Sequence, residues 1–190
     1  MQEDFFIDVE NCVSALNNGD IILYPTDTIW GIGCDATNPN AVQKIFSIKQ
    51  RNESKALIVL VNEINDVLKY TSIKDVSELG FLTSTVKPTT VIYENGMGLA
   101  YNLLAEDGSV GIRVCKDDFC SAVLQSFGKP IVSTSANISG EASPHFYQEI
   151  DIKIKQQVDY IVQYKQEDET PKEASSIVKW KDGKLEIIRP

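Results

Sequence analysis

Leu57-Ile-Val-Leu-Val61 places five apolar side chains in a row, the pattern of a strand covered on both faces. Ile131-Val132 and Ile21 to Tyr24 read the same way, and Pro25 forces the chain out of the latter. Thr90 to Tyr93, Val110 to Val114, Tyr160 to Val162, Ile177 to Trp180 and Leu185 to Ile188 supply further strands. Lys181-Asp182-Gly183-Lys184 reads as the hairpin connection between the last two. Helical patterns are interleaved with these runs. Cys12 to Asn17 belongs to an opening helix stopped by Asn18-Gly19. Asn38-Pro39-Asn40 caps a second, with Ala41, Val42, Ile45, Phe46 and Ile48 on its apolar side. Val67 to Tyr70, Val76 to Leu82, Ala122 to Phe127 and Ile152 to Val158 are further helical candidates. Such alternation indicates an α/β fold. The polar stretch Lys165 to Lys172 reads as a flexible loop, either a closing lid or a plain mobile connection.

A chain of 190 residues with 43% hydrophobic content can bury one sizeable core. The first six residues are acidic and do not form a signal peptide, and no apolar run reaches membrane-spanning length. The four cysteines show no C-x-x-C spacing, which indicates reduced thiols and a cytoplasmic setting. The sole histidine, His145, follows Pro144 in a polar turn and is read as a surface residue. A formal charge of −9 argues against indiscriminate nucleic-acid binding, although a local basic cleft remains compatible with it.

Two short strings suit an anionic ligand. Lys49-Gln50-Arg51 offers an ammonium and a guanidinium two positions apart, on one face if the segment is extended. Ser133-Thr134-Ser135-Ala136-Asn137 offers hydroxyls and an amide at a strand end, where open α/β sheets bind ligands. In Tyr24-Pro-Thr-Asp-Thr28, Thr26 and Thr28 share one face of an extended segment and Asp27 points the other way. There is no Walker-type phosphate loop. Gly31-Ile-Gly33 lacks the third glycine of a dinucleotide fingerprint and reads as a tight turn after Trp30. Any nucleotide is therefore held by side chains from separate strands.

Taken in order, these segments resemble the YrdC-like family of threonylcarbamoyl-AMP synthases over nearly the whole chain. The segments are Tyr24 to Thr28, Trp30 to Gly33, the K-x-R and S-x-N strings, Val110 to Val114, Ala174 to Ile177 and Ile187 to Pro190. The resemblance implies one YrdC-like domain over residues 1–190, a twisted open mixed sheet with flanking helices, in a short form without the extra C-terminal domain of longer synthases. It implies that L-threonine, bicarbonate and ATP, with Mg2+, give threonylcarbamoyl-AMP and pyrophosphate, for tRNA modification by a separate threonylcarbamoyl transferase machinery. Lys49, Arg51, Ser135 and Asn137 are then the reaction-centre tetrad. Lys55, Ser109, Ser143 and Arg189 join Arg51 and Ser135 around ATP. Thr28, Arg113, Ser133 and Ser176 hold threonine, with Arg113 as the carboxylate clamp because a guanidinium grips a carboxylate through two parallel bonds. No resident metal ligands are implied.

The chain departs from the family pattern at Val86-Lys-Pro-Thr-Thr90, at Ser175-Ser176 and at Asn52, where proline often follows K-x-R. Two other readings stay open. One is a non-catalytic nucleotide- or RNA-binding module with possible RNA contact; the other is a carbamoyl-transfer relative.

Overall fold

The computed structural model describes residues 5–51, 57–181 and 184–190. Helix α1 spans Phe6–Asn17, and Gly19 takes the positive φ that follows its C-terminus. Strand β1, Ile22–Tyr24, is wholly buried. Strand β2 is Gly31–Gly33, so the segment read as a tight turn is a strand. Helix α2, Pro39–Lys49, starts at Asn38, whose side chain accepts from the backbone N–H groups of Asn40 and Ala41. Then follow β3 (Ile58–Val61), α3 (Ile64–Tyr70), α4 (Phe81–Ser84), β4 (Thr89–Tyr93), β5 (Val110–Val114) and α5 (Asp118–Phe127). The chain closes with β6 (Ile131–Ser135), α6 (Ile152–Lys155), β7 (Tyr160–Ile161), β8 (Ser176–Lys181) and β9 (Lys184–Arg189). The Val76–Leu82 pattern divides into a 3-10 turn over Val76–Leu79 and the short α4, parted at Gly80.

The nine strands of the described residues join one mixed sheet in the order β7-β1-β2-β6-β3-β5-β4-β8-β9. β1–β7, β3–β5 and β4–β8 pair parallel, and the other neighbours pair antiparallel. The sheet is open, with β7 and β9 at its edges. Its centre is apolar as the sequence runs imply: Val59, Leu60, Val61, Val91, Val110 and Ile112 are all buried. Helices α1 and α5 pack on each other.

The two glycines of β2 explain the strand. A Cβ on Gly33 would lie 2.6 Å from the Val132 carbonyl and 2.7 Å from the Tyr24 ring, so only glycine lets β1, β2 and β6 close up there. Lys165 to Lys172, read as a flexible loop, is tied down. Lys165 pairs with Asp117 at 3.2 Å, Lys172 donates to the Thr26 carbonyl at 3.2 Å, and Gln148 donates to the Gln166 carbonyl at 2.8 Å.

Candidate active site

Strand register assembles the site. Gly31 lies opposite Ser135, while Ser133 lies beside Ile58, which in turn lies beside Gly111. Arg113, two residues along from Gly111, pairs with Thr90, Thr90 with Ile177, and Ile177 with Arg189. Paired residues point the same way and alternate residues share a face, so all of these project from one side of the sheet. A cavity of about 270 Å³ opens on that side.

The cavity wall carries three guanidiniums (Arg51, Arg113, Arg189) and the hydroxyls of Thr28, Ser133, Thr134, Ser135, Ser143 and Ser175. Trp30, Leu57 and Ile58 add apolar surface, and among the described residues no carboxylate lines it. Burial pushes the Arg51 pKa below its ordinary value. Arg189 is fixed from behind, its Nε and Nη2 donating to the Ser175 carbonyl at 3.1 and 2.6 Å. This lining suits a polyanion with a second anionic group close by.

Arg113 is 4% exposed. Its Nη1 donates to Thr28 Oγ1 at 3.2 Å, and its Nη2 stands 3.1 Å from Asp27 Oδ1. The threonine hydroxyls stand 2.9 Å apart, so they do share a face. Thr26 Oγ1 donates to the Ile29 carbonyl at 2.7 Å and also accepts from the Thr28 N–H. With its proton spent there, Thr26 accepts from the Thr28 hydroxyl, and the Thr28 oxygen is left to accept from Arg113. Thr28 lines the cavity, while Thr26 is structural. Asp27 turns away from the cavity, and what it meets is the guanidinium of Arg113. Burial pushes the Asp27 carboxyl above its usual range, and Arg113 opposes that shift.

The K-x-R string is not extended. Lys49 ends α2, and Gln50 caps it in the left-handed region at φ 48°, so the chain turns sharply before Arg51. The two cations therefore diverge, Arg51 into the cavity and Lys49 inward. Lys49 is 1% exposed. Its ammonium donates to the Ser135 carbonyl, to the Asn137 carbonyl at 2.8 Å and to Asn137 Oδ1 at 3.4 Å. Burial, and then the charge of Arg51, push its pKa down to about 8. Asn137 Nδ2 donates to the carbonyls of Glu141 at 2.7 Å and Ile138 at 3.1 Å. Neither Lys49 nor Asn137 lines the cavity. Together they lock the S-x-N turn that presents Ser133 and Ser135.

Of the residues singled out in the sequence, Thr28, Arg51, Arg113, Ser133, Ser135, Ser143 and Arg189 come together around one cavity. Lys55 and Asn52 lie outside the described residues. Ser109 is buried at the foot of β5, four residues from Arg113 on the same alternation, and its N–H donates to Asp107 Oδ1 at 3.0 Å. Ser176 is half-buried outside the lining. Its neighbour Ser175 forms the wall instead and bonds Thr90 through their hydroxyls at 2.9 Å. Sequence reasoning did not select Ser175, Thr134 and Trp30 as ligand contacts. Proximity to the motif strings was the only signal for them. His145 is exposed, as read.

The Sua5/YciO/YrdC family model, which carries the description "Telomere recombination", matches residues 14–190. A putative threonylcarbamoyl-AMP synthase of Methanocaldococcus jannaschii is 33% identical over 173 residues, 90% of this chain and 80% of that protein. A threonylcarbamoyl-AMP synthase of Photobacterium profundum is 32% identical over 135 residues, 70% of this chain and 73% of that protein. Among solved structures, E. coli YciO superposes with a TM-score of 0.82 at 22% identity, covering 96% of this chain and 88% of that one. P. abyssi Sua5 complexed with L-threonine gives 0.84 at 18% identity, covering 97% of this chain and 54% of that one. At these identities the structural likeness establishes the fold.

Proposed function

Because the chain belongs to the Sua5/YciO/YrdC family, we propose that it condenses L-threonine, bicarbonate and ATP into L-threonylcarbamoyladenylate with release of pyrophosphate. The observation that carries this reading is the cavity lined by three guanidiniums and a row of hydroxyls, with no carboxylate among the described residues of its wall. Relatives that bear the synthase name, at 30% identity or more, support it. In this reading the threonine amine captures bicarbonate as a carbamate with loss of water. A carbamate oxygen then forms a bond to the α-phosphorus as the bond to the bridging oxygen breaks and pyrophosphate leaves. Such a step needs in-line positioning and charge neutralisation more than a protein nucleophile.

Arg51, Arg189, Ser135 and Ser143 would hold the nucleotide, with Lys55 and Ser109 as further contacts. Arg113, Thr28 and Ser133 would hold threonine, with the Ser175-Ser176 pair closing that end. Lys49 and Asn137 would act by holding Ser135 in place. Magnesium would enter as the ATP complex. Among the described residues no carboxylate lines the cavity, and no cluster of three or more His, Cys, Asp or Glu could hold an ion. The adenylate would pass to a separate tRNA threonylcarbamoyl transferase in a reducing, cytoplasmic setting. No helix among the described residues is long and apolar enough to cross a membrane.

The test is pyrophosphate release with each component omitted in turn. Release is expected to require threonine, bicarbonate, magnesium and ATP together. ATP cleavage at the full rate without threonine would overturn the proposal. Release supported by carbamoyl phosphate in place of threonine and bicarbonate would favour carbamoyl transfer instead.

A further inference from the structure

We infer that Asp27 is the counter-ion that makes Arg113 selective for a zwitterionic amino acid over a simple carboxylate. This rests on the reading of the cavity as a threonine site.

Arg113 lines the cavity and Asp27 stands behind it, with side chains 4% and 9% exposed. Both oxygens of Asp27 and the Nε of Arg113 are shut off from solvent without a hydrogen-bond partner. The Asp27–Arg113 contact is therefore one of charge, not an aligned fork. The guanidinium gives an Nη1 N–H to Thr28, and its charge is already balanced by Asp27.

The neighbouring charges act on Asp27 in opposite senses, Asp117 raising its carboxyl and Lys172 lowering it. Asp117 is paired with Lys165 at 3.2 Å. Lys172 sits on the Thr26 carbonyl and 3.9 Å from Asp168. The electrostatic character of this end of the cavity is thus that of a neutral pair in a dry setting, where an added net charge is poorly screened.

A zwitterion adds no net charge to a neutral pair. Its carboxylate meets Arg113 while its ammonium offsets the second negative charge beside Asp27. A lone carboxylate would leave Arg113 shared between two anions with one charge unbalanced, which is costly when buried. Without the Asp27 charge the preference changes, because a bare guanidinium is satisfied by any carboxylate. Selectivity would then come from repelling the wrong ligand as much as from attracting the right one.

The test compares threonine with 3-hydroxybutanoate, the same carbon skeleton without the amine. Calorimetric titrations would use the wild-type protein, Asp27→Asn and Arg113→Ala. Wild type is expected to bind threonine at least about tenfold tighter than 3-hydroxybutanoate, the order of effect for a close charge at a binding site. In Asp27→Asn, which keeps the side-chain size and an acceptor oxygen, that preference should collapse severalfold because 3-hydroxybutanoate binds more tightly. A merely structural aspartate would change both affinities together and leave their ratio alone, and an unchanged ratio would overturn the inference. If Asp27→Asn does not fold, the wild-type pair still decides, since equal affinities there would also overturn it. Arg113→Ala separates the two levels. Loss of threonine binding with ATP binding retained supports the parent reading, whereas retained threonine affinity would overturn that reading itself.

Discussion

Lys49 spends its charge on backbone. Among the described residues its acceptors are the carbonyls of Ser135 and Asn137 and the Asn137 side chain, and no carboxylate pairs with it. Lys49→Met fills similar volume but leaves those acceptors without their donor. It is expected to cost about 1–3 kcal/mol of stability, the scale for an unsatisfied buried group. It should also lower kcat for pyrophosphate release more than it raises the KM for ATP, because it disturbs presentation and not contact. The pH dependence follows from the shift. The folded value of about 8 lies below the ordinary 10.5, so between the two the unfolded chain holds a proton that the folded chain has released. The penalty for burying the charge is complete below about 8 and fades as pH rises toward 10.5. Urea melts across that window should show wild type gaining stability relative to Lys49→Met, and parallel curves would refute the assignment. Arg51 faces the cavity instead. Arg51→Ala should abolish most turnover with little change in the melt, because a half-exposed cation contributes little to stability.

At the level of elements, β2 carries the sharpest consequence. Gly33→Ala puts a methyl against the Val132 carbonyl and the Tyr24 ring at under 3 Å and must part three strands. About 1–3 kcal/mol of destabilisation is expected, visible as a lowered Tm. At Gly31, on the cavity side, the nearest atoms to an added Cβ are the Thr134 carbonyl at 3.1 Å and Ser133 Oγ at 3.4 Å. Gly31→Ala should therefore melt closer to wild type while raising the KM for threonine through the displaced Ser133 hydroxyl. Equal effects of the two substitutions on Tm and KM would count against this division of labour. A three-residue strand with glycine at both ends has neither an apolar run nor a period, which is why its sequence reads as a turn. The longer run Leu57 to Val61 announces itself because burial on both faces demands apolar residues at every position, and Val110 to Val114 through the alternation of Val110, Ile112 and Val114.

Across the whole molecule, the charge of −9 and the cationic cavity are compatible because three arginines gather where the strands converge and no carboxylate among the described residues lines that wall. The four cysteines are free and buried. Burial raises the thiol pKa of Cys12 and Cys34 with help from Asp8 and Asp35, and the neighbouring Cys115 thiol and burial raise that of Cys120. All four are shut away from solvent, so all four should resist an alkylating reagent in the folded protein and react together on unfolding. Mass spectrometry after timed labelling in rising urea checks this. Rapid labelling of any one of them without denaturant would show a local opening that the packing does not suggest.

The sequence by itself determined the α/β class, most of the strands and several of the cations and hydroxyls that gather around the cavity, because those signals are local: apolar runs, caps and turn residues act within a few positions. It also made Arg113 legible, an arginine between the apolar Ile112 and Val114 of a strand. Only the tertiary structure decided that Lys49 faces inward and Arg51 outward, since a left-handed Gln50 turns the chain between them. It alone placed Asp27 behind Arg113 and Ser175 in the wall. These outcomes rest on partners about 85 residues apart in the chain. Strand register brings such partners together, and no local pattern records which long-range neighbour a side chain will meet.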